Sequence, residues 1–110
     1  MTKEEKITLL SNMLKPEVVD LEELDTLLTI TKYAILNRRY PYGYDEAKEV
    51  PSQYDGLQLQ CCVALFNKKG AEGQTAHKEN GIDRTYEAGD IPESLLKQVV
   101  PLVGSVNTNA

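Results

Sequence analysis

One histidine, two adjacent cysteines and several small groups of carboxylates are the residues of this chain that could do chemistry, so their spacing is the first question. His77 has no Ser or Cys partner in a recognisable motif, and its polar surroundings suit a solvated side chain better than a general base. Cys61 and Cys62 are neighbours in an apolar helical pattern. A disulfide between adjacent residues is geometrically awkward there, and free Cys is commonly buried, so both read as reduced core or near-core thiols. Glu4, Glu5, Asp20, Glu22, Glu23 and Asp25 fall at helix starts and on outer faces, where carboxylates complement the positive end of a helix. Gly70 and Gly73 are spaced unlike any phosphate-binding loop and lack its Gly-Lys-Ser/Thr ending. These patterns name no catalytic residue, no metal ligand set and no cofactor site, and the chain is expected not to be an enzyme.

The elements that position these residues read as helices. The chain has 110 residues, 41% hydrophobic, with a single Phe and no Trp, so the core must come from Leu, Ile, Val and Ala with some of the six Tyr at its edges. That length suits one domain. Four segments open with a small polar residue followed three positions later by a carboxylate: Thr2 with Glu5, Asp20 with Glu23, Ser52 with Asp55, Asp90 with Glu93. Each is a capping-box candidate. Together with the apolar periodicity they predict helices over about 2–14, 21–38, 53–69 and 91–100. The second carries Leu21, Leu24, Leu28, Thr31 and Ile35 on one face. The third is apolar around much of its girth and should be the most enclosed. Between the second and third, RYPYGYDEAKEVP is a loop, since two prolines and a glycine forbid a helix. Tyr40, Tyr42 and Tyr44 in that loop are either a contact surface, a role in which Tyr is enriched, or a seal over the end of the bundle.

The stretch GAEGQTAHKENGIDRTYEAGDIP is the unusual part. Asn80-Gly81 is a strong hairpin signal, because a type I′ turn needs positive φ at both central positions. Folding about it pairs Lys78 with Asp83, His77 with Arg84 and Thr75 with Tyr86, over about 73–87. Neither face of that hairpin is apolar, and an isolated two-stranded hairpin is marginal in water. The segment therefore reads as an assembly arm ordered by a neighbour, with a mobile surface loop as the plain alternative. The last ten residues, 101–110, turn small and polar and predict a flexible tail.

Charge and hydropathy narrow the function. Seventeen acidic against twelve basic residues give a formal charge of -5, the wrong sign for a protein held to DNA by neutralising phosphates. The N-terminus has no apolar stretch of signal-peptide length and no run is long enough to cross a membrane, so an intracellular chain without membrane contact is expected.

The run from VPSQYDGLQLQ through ALFNKKGAEGQTAHKENGIDRTYEAGDIPESLL, with NRRYPYG ahead of it, resembles the small head-to-tail connector (adaptor) proteins of long-tailed bacteriophages, also labelled DNA-packaging proteins. The likeness covers about 21–103, and its most specific part is the polar arm; the adjacent cysteines depart from the small apolar residues expected there. It implies a mainly α bundle of about four helices with a β-hairpin or long loop before the last. It also implies a virion protein at the head-tail interface, made in the host cytoplasm. There it would join a homo-oligomeric ring, dodecameric in the virion, under the portal protein. Such a ring extends the DNA channel, lets the genome pass without specific binding, and docks a stopper or tail-completion protein. On that likeness Thr75, His77, Lys78, Asn80, Gly81, Asp83, Arg84 and Tyr86 would touch a neighbouring subunit, and Pro101, Leu102 and Val103 would begin a portal-binding tail. The competing reading is a small intracellular protein-interaction or DNA-binding regulatory module.

Overall fold

The computed structural model describes residues 1–71 and 86–102 of the chain. They form an all-α bundle: α1 (Lys3–Met13), α2 (Leu21–Arg39), α3 (Asp55–Ala71) and α4 (Glu93–Leu96), with short 3-10 turns at Ser52–Tyr54 and Ala88–Asp90. No strand occurs among the described residues. The hairpin expected over 73–87 lies outside them except for its last two positions.

The first capping box closes in full. Thr2 Oγ1 accepts from the Glu5 amide, and the Glu5 carboxylate accepts from the Thr2 amide. At α2 only half of the box forms: Asp20 accepts from the Glu23 amide, while the Glu23 carboxylate turns inward. At the other two starts the backbone takes a different course. The turn at Ser52–Tyr54 begins from Pro51 with no side-chain cap. α4 begins from Pro92, also without one. The expected helix over 91–100 is thus cut to four residues. The reason is local: Ile91 precedes a proline, whose ring disfavours helical backbone at the residue before it, and Ile91 is extended with φ -75° and ψ 128°. At the other end the Gln98 and Val99 amides bond three residues back rather than four, which tightens the chain and turns Val99 into the core.

α2 and α3 form the centre. They meet where Thr31 lies against Cys62, 3.4 Å between Oγ1 and Sγ, and where Gln58 Nε2 donates to the Leu28 carbonyl at 2.9 Å. The Thr31 hydroxyl is satisfied within its own helix by the Leu27 carbonyl. Leu27, Ile35, Leu36, Cys61 and Leu65 are fully enclosed, in keeping with the girth-wide apolar character of α3. α1 closes one side with Leu10 and Leu14, and the segment around α4 closes another with Ile91, Leu96 and Val99.

Candidate functional site

The tyrosine loop does two things at once. Tyr40 is the residue that ends α2, and the Gly43 amide bonds back to its carbonyl. Gly43 has φ 109°, a conformation L side chains rarely adopt, which explains glycine there. The turn brings the Tyr40 and Tyr44 rings to 6.2 Å, and the Tyr44 hydroxyl donates to Asn37 Oδ1 at 2.7 Å. The Lys48 ammonium stands 5.0 Å from the Tyr40 ring centre, within cation–π range. Tyr40 and Tyr44 therefore cover the end of α2, whereas Tyr42 is 81% exposed and free to meet a partner.

Next to this loop, residues 100–102 are fastened to the bundle. Arg39 Nη1 donates to the Val100 carbonyl at 2.7 Å and its guanidinium lies 5.7 Å from the Tyr54 ring centre. The Tyr54 hydroxyl in turn accepts from the Val100 amide at 2.9 Å, and the Leu102 amide donates to the Arg39 carbonyl at 2.8 Å. Pro101 and Leu102, expected at the root of a flexible tail, are thus clasped to the end of α2; Val103 lies outside the described residues. Arg38 makes two parallel bonds of 2.9 Å to Glu93, an end-on guanidinium–carboxylate pair that ties α2 to the start of α4. Between the end of α2 and the chain over 88–93 runs a groove of about 1000 Å³, floored by Ile91 and Leu96 and edged by Asn37, Pro41, Pro92 and Pro101.

The roots of the polar arm are fixed as well. Before it, Lys69 pairs with Asp90 at 3.3 Å. After it, Tyr86 is buried and its hydroxyl donates to the inward-turned Glu23 carboxylate. This placement corrects the expectation for Tyr86: it is a core residue of its own bundle, because a ring of that size gains more from burial against α2 than from solvent. Thr75, His77, Lys78, Asn80, Gly81, Asp83 and Arg84 lie outside the described residues.

A charged cluster joins α1 to α3. Asp55 receives the Met1 ammonium and Lys6 Nζ, each at 3.0 Å, and Lys6 also donates to Gln58 Oε1. Burial pushes the Asp55 carboxyl up, but the hydrogen bonds and positive charge of Lys6 and of the Met1 ammonium outweigh it and hold the group below the usual carboxylate range. The Ser52–Asp55 spacing that suggested a cap is here the origin of a long-range ion pair, a role that no local pattern signals. Burial drives the thiols the other way, Cys61 to about 11 and Cys62 to about 12, so neither supplies a thiolate nucleophile near neutral pH. Among the described residues no group of three or more His, Cys, Asp or Glu side chains is placed to hold a metal ion, and no helix is long and apolar enough to cross a membrane.

Comparison with protein-family models, with curated proteins and with solved structures finds no match to this chain. What the described residues offer is contact chemistry: an exposed tyrosine, a groove beside it, and apolar side chains standing free at the two ends of α2.

Proposed function

We propose that the chain is a structural virion protein, a head-to-tail connector that assembles as a ring beneath a portal protein and presents a docking site for the next component. The reading starts from the likeness of the polar arm and its flanks to the phage adaptor proteins. The observation that carries it is the way the arm is rooted. Lys69 with Asp90, and Tyr86 with Glu23, tie the chain to the bundle on both sides of residues 72–85. A segment of that composition, rooted twice on a core with its own apolar interior, suits an arm that reaches a neighbour.

The exposed Tyr42 and the clasped start of the tail extend the same reading toward the portal and stopper proteins. The acidic balance fits a channel wall that offers the passing genome few cations. The test is the mass of the purified chain by light scattering, alone and mixed with portal rings. A fixed stoichiometry on the portal, lost when residues 74–85 or 103–110 are deleted, is the expected result. A chain that ignores the portal at every ratio sinks the proposal.

A further inference from the structure

The ends of α2 differ in charge and each carries apolar side chains with nothing over them. At the start, Leu9 and Met13 stand one turn apart on α1, followed by Val18 at 96% exposure and Leu21 at 63%. Around them are Glu17, Asp20 and Glu22 against a single Lys15. At the other end Tyr42, Val100 and Leu102 are exposed, beside Arg38, Arg39 and Lys97. The clasp through Arg39 draws these three apolar side chains to one place, since Leu102 bonds the Arg39 carbonyl and Tyr42 follows in the adjoining turn. α2 has 19 residues, so at a rise of about 1.5 Å each the two patches are roughly 27 Å apart.

We infer that these two patches are partners in a heterologous contact between copies of this chain: the acidic-rimmed patch of one molecule seats on the basic-rimmed patch of the next. Three features support a second copy as the occupant. The patches are apolar on both sides, so each gains by covering the other. Their rims are opposite in sign, which steers this pairing and penalises like-with-like contact. Their placement at opposite ends of one helix makes the contact head to tail, and such contacts close into rings when the rotation permits. Closure into a ring rests on the connector reading above; the pairing of the two patches does not.

Disulfide trapping reads the pairing directly, because Cys61 and Cys62 are buried and the engineered sites are exposed. Full-length V18C and Y42C are oxidised separately, mixed, and combined as V18C/Y42C, across a concentration series and with a distant exposed pair, Glu46→Cys with Ser94→Cys, as control. The expected result is a mixed dimer only in the mixture and a ladder of multimers from the double variant. Val18→Asp, on a side chain too exposed to matter for folding, should weaken association by about tenfold. V18C or Y42C linking mainly to itself, or a mixture linking no faster than the control pair, overturns the inference. A ladder from protein that ignores portal rings leaves the patch contact standing and removes the connector role, whereas portal binding without the V18C–Y42C link does the reverse.

Discussion

α1 and the chain from Ala88 to Leu102 perform the same task on different sides of the α2–α3 pair, and they are held by opposite means. α1 carries its own start signal: Thr2 and Glu5 satisfy each other's amides, and the helix then lays Leu10 and Leu14 into the core. The later segment has a four-residue helix with no side-chain cap. Its order comes from α2 and from the turn before α3, through Arg38 with Glu93, Arg39 with Val100, and Tyr54 with the Val100 amide. Neither piece is long enough to be a stable helix alone, so each needs tertiary packing. The difference lies in where the polar side chains are used. A segment with a regular helical start uses its polar residues on its own amides. One interrupted by Pro92 and Pro101 leaves them free for distant partners.

The comparison breaks first at the core. Leu10→Ala opens a cavity under α1 and should lower the unfolding free energy by about 2–5 kcal/mol, measured by urea denaturation. Leu96→Ala tests the other side in the same way. If Leu96→Ala proved neutral, the segment 88–102 would not belong to the cooperative unit.

Asp55→Asn comes next, since it removes the carboxylate that receives Lys6 and the Met1 ammonium, and a loss of about 1.5–3 kcal/mol is expected at neutral pH. Its pH dependence has a definite sign. The folded-state pKa is depressed, so the stabilisation is present above the unfolded carboxyl value of about 3.9 and is lost as pH falls through the lower folded value. Wild type should therefore lose stability more steeply than Asp55→Asn below about pH 4. Parallel acid limbs would show that the cluster contributes nothing.

Two smaller substitutions sharpen the contrast between the regions. Thr2→Ala removes a complete N-cap and should cost about 1 kcal/mol, with faster amide exchange in the first turn of α1 and none around Val100. Tyr54→Phe removes the acceptor of the Val100 amide, with a global cost of about 0.5–1 kcal/mol and faster exchange at Val100. Equal exchange changes in both places, from either variant, would dissolve the distinction. The smallest effect belongs to Arg38→Ala. Its partner Glu93 is exposed, water screens the pair, and the melting temperature should stay within measurement error.

Read along the chain, the polar–carboxylate spacing marked all four α-helices, yet it meant a complete cap only at Thr2. Asp20 still capped its helix, but Glu23 was drawn to Tyr86. Asp55 and Glu93 went to Lys6 and Arg38, which are far away in sequence. A three-residue spacing specifies what a side chain is able to reach locally; it cannot weigh that bond against a partner brought in by folding. The short α4 was legible in principle, because Ile91 before Pro92 marks a non-helical position. The clasp of residues 100–102 was not, because Arg39 beside Arg38 reads as an ordinary basic helix end until Tyr54 and Val100 are placed next to it.

By itself the sequence determined the class of fold, the course of α1, α2 and α3, the apolar interior of α3 and the loop after α2, because helical periodicity, proline and glycine act over a few residues. Only the tertiary structure decided that Tyr86 is core, that Tyr42 is exposed while Tyr40 and Tyr44 are covered, and that the apolar patches at the two ends of α2 carry opposite rims. Those outcomes depend on which distant segments share a surface, and burial and charge complementarity are properties of that shared surface rather than of any local stretch of chain.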